Sequence, residues 1–259
     1  MPFAEVAGTR FHYRFDGLPV APLLVLSNSL GTDLTMWDPQ MEALAKEFHV
    51  LRYDTRGHGL SGVTPGPYTI DRLGSDVVAL LDQLAIERAA FCGLSLGGMI
   101  GMWLGIHAPE RLSRLVLANT AAQIAPPDLW NARIAKVGAG GMAAISDAVL
   151  ARWFTPEFVA RERGTLGMMK AMMERMPADG YVACCAAVRD MDQRDAIARI
   201  VAPTLVIIGE QDGATPPADG RFLAARIPGA RSVELPAAHL SNVEMPAEFT
   251  AALSSFLKS

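Results

Sequence analysis

The chain has 259 residues, 51% hydrophobic and 7% aromatic, which suits one α/β domain with an insertion and carries no collagen-like, coiled-coil or low-complexity bias. Its net charge of −4, with no Lys/Arg-dense run, speaks against a nucleic-acid or anionic-membrane binder and means that an anionic ligand needs its own placed cation. Three cysteines, two of them adjacent at Cys184-Cys185, cannot build a disulfide framework; with no export signal in Met1-Pro2-Phe3-Ala4-Glu5 and no apolar run near the ~20 residues of a membrane span, a cytoplasmic protein is expected.

From Phe3 to Phe15, short β-prone segments surround Ala7-Gly8-Thr9, and alternation puts Phe11, Tyr13 and Phe15 on one face of an expected edge hairpin. Leu23-Leu24-Val25-Leu26 is a continuous apolar run, as in a parallel strand buried on both faces, and it ends in the small polar loop Ser27-Asn28-Ser29-Leu30-Gly31-Thr32. A helix over about Trp37–Lys46, the strand His49–Tyr53 and the glycine-rich loop Asp54-Thr55-Arg56-Gly57-His58-Gly59-Leu60-Ser61 follow. Leu73, Val77, Leu80, Leu81 and Leu84 then form the apolar stripe of a helix over about Ile70–Leu84.

Phe91-Cys92-Gly93-Leu94-Ser95-Leu96-Gly97-Gly98-Met99 reads as strand, sharp turn and helix, with Ser95 in a G-x-S-x-G turn. The helix runs to about His107, stops before Pro109, and is followed by the strand Leu115-Val116-Leu117-Ala118. Between about Ala121 and Arg194 there is helical pattern without a convincing buried strand, too long for a loop. Residues 121–194 are therefore expected to form a helical cap over the C-terminal edge of a core made of 1–120 and 195–259. Alternation resumes with Thr204–Gly209, a helix near Ala218–Ala225, the strand Arg231–Leu235 and a last helix over about Pro246–Leu257, so the fold class is α/β with a mostly parallel doubly wound sheet.

A serine hydroxyl becomes a good nucleophile only when a base takes its proton and an acid holds that base in the right tautomer. Asp212, in Gly209-Glu210-Gln211-Asp212, and His239, in Pro236-Ala237-Ala238-His239, each follow a strand and so fall at the same sheet edge as Ser95. Glu210 stands two residues away as an alternative acid, although the spacing from the strand end favours Asp212. Asp54 is another acid, more simply read as a buried carboxylate holding Arg56 and the glycine turn. His58 either touches chemistry or serves its turn, and His107 reads as a helix-end partner. For the developing oxyanion the donors are the Leu96 N–H, first in its helix, and the Leu30 N–H from the loop after the first parallel strand. No metal-ligand spacing, Walker loop or dinucleotide fingerprint is present, so no cofactor is expected.

With these motifs the chain resembles the α/β-hydrolase superfamily, whose triads run in the order Ser, Asp, His. Within it the chain is similar to the 3-oxoadipate enol-lactonase family. The narrower likeness rests on Ser27-Asn28-Ser29-Leu30-Gly31-Thr32-Asp33 with Met36-Trp37-Asp38, on Tyr53–Ser61, on the Ser95 elbow, and on Ala151-Arg152-Trp153-Phe154-Thr155-Pro156. Asn28-Ser29 in place of the common His-Gly is the most telling of these. The resemblance implies the α/β-hydrolase fold and hydrolysis of 3-oxoadipate enol-lactone to 3-oxoadipate in the β-ketoadipate pathway of aromatic catabolism, through an acyl-enzyme on Ser95 with His239 as base and Asp212 as its orienting acid.

The implied partner is a small lactone bearing a free carboxylate, which calls for a cation from the expected cap, where Arg133, Arg152, Arg161, Arg163 and Arg175 stand. Arg133, three residues after Trp130, is preferred because that spacing presents both side chains on one side of a helix. Met168, Met169, Met172, Met173 and Met176 form a stripe better read as packing than as a substrate surface. A carboxylesterase or C–C bond hydrolase on the same scaffold, and more remotely a slow-turnover ligand receptor, remain alternatives; a haloalkane hydrolase would need aspartate at position 95.

Overall fold

The computed structural model describes residues 2–124 and 126–259. Met1, in the segment read for an export signal, and Ala125, inside the expected cap, lie outside the described residues.

Eight strands form one sheet: β1 (Phe3–Val6), β2 (Thr9–Asp16), β3 (Leu23–Ser27), β4 (His49–Tyr53), β5 (Ala89–Leu94), β6 (Leu112–Ala118), β7 (Thr204–Gly209) and β8 (Arg231–Leu235), in the order β1-β2-β4-β3-β5-β6-β7-β8. β1, β2 and β4 pair antiparallel, and every later pair is parallel. The central strands β5 and β7 are buried at every position, which is why they read as unbroken apolar runs, whereas the edge strand β8 buries only Leu235.

Helices cover both faces: α1 (Asp38–Glu47), α2 (Ile70–Gln83) and α3 (Leu96–His107) precede β6, while α9 (Pro217–Arg226), the single turn α10 (Ser241–Glu244) and α11 (Pro246–Lys258) follow β7. Thr69 caps α2 by accepting from the Arg72 N–H, and the stripe Leu73, Val77, Leu80 and Leu81 is buried; Leu84 falls just past the helix and is partly exposed. Between β6 and β7 lie α4 (Pro127–Gly140), α5 (Ser146–Trp153), α6 (Pro156–Arg161), α7 (Arg163–Glu174) and α8 (Ala178–Asp190), with no strand among the described residues of this segment.

Two elements differ from the sequence expectation. β6 begins at Leu112 rather than Leu115, because half-buried Ser113 and Arg114 interrupt the apolar run while the strand still pairs with β5 across a register shift at Ala89/Ala90. The turn α10 is polar in sequence yet wholly buried, since its side chains bond to distant backbone: Asn242 Nδ2 donates to Met36 O at 2.9 Å.

The Asp54 reading needs correction. Asp54 does hold the glycine turn, accepting from Leu60 N (2.9 Å) and from Leu34 N (2.8 Å), and it also contacts His12 Nδ1 at 2.7 Å. It does not hold Arg56. That guanidinium, fully buried, makes two 2.6 Å bonds to Asp76 on α2, because a fork donor is best matched by a carboxylate facing it from another element.

Removing one partner of a buried ion pair strands the other charge. Asp76→Ala is therefore expected to cost about 3–5 kcal/mol in urea unfolding, whereas Glu47→Gln, which breaks the exposed pair with Lys258, is expected to cost about 1 kcal/mol or less.

Candidate active site

Gly93 and Gly97 make the elbow possible. A Cβ on Gly93 would collide with the Gly97 carbonyl, and one on Gly97 with the Ser27 carbonyl, so β5, α3 and β3 meet backbone to backbone here. Ser95 takes φ 56° and ψ −113° in the turn between them, a conformation of order 1–3 kcal/mol above relaxed backbone. It is held there by Ser95 N donating to Ala118 O (2.9 Å) and by Thr120 Oγ1 donating to Ser95 O (2.7 Å).

Asp212, in the loop after β7, is a five-fold acceptor. Oδ1 takes the N–H groups of Ala214 (2.8 Å) and Thr215 (2.9 Å), while Oδ2 takes Asn119 Nδ2 (3.0 Å), Thr215 Oγ1 (2.8 Å) and His239 Nδ1 (2.8 Å). Burial alone would raise its pKa, but the His239 imidazole and these donors outweigh it and hold the carboxyl down at about 2. An ionised carboxylate only accepts, so Nδ1 of His239 carries the proton and Nε2 is the free, basic nitrogen. Glu210, the alternative acid, is exposed and makes no hydrogen bond to His239 among the described residues.

Ser95 and His239 line one cavity of about 70 Å³ together with Ser29, Leu30, Trp130 and Arg133. Ser95 and His239 share this cavity without a direct hydrogen bond between their side chains. The loop after β3 is clamped from several directions: Asn28 Nδ2 donates to Tyr53 O (2.9 Å), Trp37 Nε1 to Asn28 Oδ1 (3.0 Å), and Gly97 N to Asn28 O (3.0 Å). Ser29 N is taken by Met36 Sδ and Gly31 N by His58 Nε2 at 3.0 Å. The Leu30 and Leu96 N–H groups are left without a partner among the described residues.

The sequence profile of the alpha/beta hydrolase fold family matches residues 22–246. The chain belongs to the α/β-hydrolase fold family. It is 43% identical over 247 residues to 3-oxoadipate enol-lactonase 2 of Acinetobacter baylyi, covering 95% of this chain and 92% of that protein. A solved enol-lactonase from Burkholderia xenovorans superposes with a TM-score of 0.98 at 49% identity, over the full length of both chains. A putative carbamate hydrolase of Pseudomonas syringae is more distant, 32% identical over 246 residues, with 92% of this chain and 94% of that one covered.

In this α/β hydrolase the helices between β6 and β7 contribute Trp130, Arg133, Arg152, Trp153 and Tyr181 to the cavity lining, including both of its arginines. Arg133 lies over the Trp130 ring, 4.8 Å from its centroid, and its Nη1 is 3.5 Å from the Tyr181 hydroxyl. Arg152 also lines the cavity, while Arg161, Arg163 and Arg175 do not. None of the methionines at 168, 169, 172, 173 and 176 lines it; four are buried in packing and Met168 is exposed. His58 is fully buried and off the cavity, and burial pushes its imidazole down to about 4, so it stays neutral, with Nε2 accepting and Nδ1 facing Arg56 O at 3.3 Å. His107 ends α3 and stacks on Trp103 at 4.8 Å. Among the described residues no cluster of three or more His, Cys, Asp or Glu side chains is arranged to hold a metal ion, and no helix is long and apolar enough to cross a membrane.

Two residues that sequence reasoning missed tie the site together. Asn119, at the end of β6 with φ 45°, donates to both Asp212 Oδ2 and Ala238 O (3.1 Å), joining the acid and histidine loops. Glu244 on α10 accepts from Ala238 N (2.9 Å) and from the Thr155 hydroxyl at the start of α6. Asn119 gave one signal, a polar residue closing an apolar strand; Glu244 gave none.

Held at about 2, the Asp212 carboxyl stays ionised throughout the working range and contributes no limb to the pH profile of kcat/KM above about pH 4. Asp212→Asn is expected to lose about 10⁴ in kcat through the wrong tautomer. The depressed carboxyl also contributes stability that is full above its unfolded pKa near 4 and lost as pH falls through about 2. The gap in unfolding free energy between wild type and Asp212→Asn should therefore close over that window.

Proposed function

We propose that this α/β hydrolase opens 3-oxoadipate enol-lactone to 3-oxoadipate, with Ser95 as nucleophile, His239 as base and Asp212 as the acid that orients it. The observation that carries this is the positive-φ Ser95 sharing one cavity with a His239 whose other nitrogen is fixed by Asp212. Full-length similarity to enol-lactonases supports the choice of substrate. Helices α4–α8 act as the cap, and the setting is aromatic catabolism by the β-ketoadipate pathway in the cytoplasm.

In the proposed cycle His239 Nε2 takes the Ser95 proton as Oγ attacks the ring carbonyl, and the oxyanion is held by the Leu30 and Leu96 N–H groups. Collapse breaks the ring C–O bond and expels an enolate, a weaker base than an alkoxide, so proton donation from the imidazolium is less demanding here than in ordinary ester cleavage. The imidazolium gives its proton to this enolate, which stays on the acyl chain and ketonises, drawing the reaction forward and leaving His239 neutral. Water activated by His239 then attacks the acyl-enzyme, and its second collapse returns the proton to Ser95.

The substrate carboxylate is assigned to Arg133. Stacking on Trp130 restricts the guanidinium before substrate arrives, and among the described residues no carboxylate pairs with it, so its charge is available to the ligand. Trp130 provides the apolar wall beside it.

Purified protein should turn over the enol-lactone faster than p-nitrophenyl acetate, and Ser95→Ala should abolish both activities. Fast acetate turnover without lactone turnover would overturn the substrate assignment. Arg133→Met is expected to raise KM for the lactone by about 10–100-fold, the scale of one charge-assisted contact, while leaving the uncharged acetate ester within about twofold.

A further inference from the structure

The side chain of Ser29 is the unusual feature of the clamped loop. Both of its own backbone polar groups are engaged: Ser29 N donates to Met36 Sδ, and Ser29 O accepts from Thr32 N (3.2 Å) and Thr32 Oγ1 (2.8 Å). Its hydroxyl is not. Ser29 is 2% exposed, and Oγ has no hydrogen-bond partner among the described residues.

A buried hydroxyl without a partner costs stability, because the group gives up water and gains nothing in return. Among the described residues three other buried side-chain atoms are unpartnered, Thr55 Oγ1, Gln193 Oε1 and Asn242 Oδ1, but none of their residues lines the Ser95 cavity. Ser29 does, next to Leu30, the residue whose N–H is proposed to hold the oxyanion. The hydroxyl therefore belongs to a pinned loop residue that lines the same cavity as Ser95, with its hydrogen-bonding capacity unspent.

We propose that Ser29 Oγ–H is a third donor to the oxyanion formed on Ser95, a side-chain contact added to the two backbone amides. This rests on Ser95 being the nucleophile. Where glycine occupies the second position of the loop there is no side chain to act, so serine here gives the site one more preorganised dipole at the point where negative charge develops. The unpaired hydroxyl is tolerated in the free enzyme and satisfied in the transition state, when the interaction contributes to rate rather than to ground-state binding.

The test is Ser29→Ala, assayed on both the enol-lactone and p-nitrophenyl acetate, with thermal unfolding of the free enzyme alongside and Ser95→Ala as control. The expected result is a fall of about 10²-fold in kcat/KM on both substrates, carried by kcat for the lactone with KM within about twofold. Tm should be equal to wild type or higher, because the substitution removes an unsatisfied buried group. A merely structural serine would instead lower Tm.

Unchanged kcat/KM, or a loss confined to the lactone, would overturn the assignment to the oxyanion, and so would a lowered Tm accompanying the loss of activity. Activity persisting in Ser95→Ala would instead remove the nucleophile assignment on which the inference stands, so the two failures are told apart.

Discussion

The site depends on one close approach of backbones, where β5 runs into α3 beneath the end of β3. Gly93 and Gly97 have no Cβ because there is no room for one. That contact drives Ser95 into the left-handed region, lifts its hydroxyl from the sheet edge, and leaves the Leu96 N–H free at the start of α3, where the helix dipole favours negative charge. Any side chain at those two glycines would push the helix away, and the serine would lose both its place in the cavity and its electrostatic setting.

Around this corner the polar groups divide into those that hold geometry and those left available. Asn28, Trp37, Tyr53, Met36 and His58 fix the loop after β3 from behind, and Asn119 and Glu244 fix the loops that carry Asp212 and His239. His58 suits its task because burial keeps it neutral: a protonated imidazole would present an N–H to the Gly31 N–H and drive the loop out of place. Among the described residues the Leu30 and Leu96 amides and the Ser29 hydroxyl have no hydrogen-bond partner, and Ser29, Leu30 and Arg133 line the cavity. Rigidity lies in the supporting layer, so these donors need little reorganisation when charge appears.

Much of the fold was legible because burial on both faces leaves an unbroken apolar run, as in β3, β5 and β7, and an amphipathic stripe marks α2. Ser95, Asp212 and His239 were visible as chemically suited residues directly after strands, and parallel strands in one sheet send such residues to the same edge. Bonds between residues far apart in sequence were not legible. Asp76 as the partner of Arg56, Asn119 bridging two later loops, and Glu244 on a buried polar turn each act on a group 20 or more residues away or on backbone that has no sequence signature. Asp54 shows the converse error, since closeness in sequence suggested Arg56 as its partner while the fold gave it backbone donors and His12.

The central claim, acyl transfer through Ser95, is tested most directly by acid-quenching the enzyme within milliseconds of mixing with excess enol-lactone and measuring its intact mass. A transient species heavier by one lactone, with the added mass on the peptide that contains Ser95 and absent in Ser95→Ala, is the result this account predicts. Turnover at full rate with no covalent species at any quench time under acylation-favouring conditions, or an adduct on another residue, would contradict it.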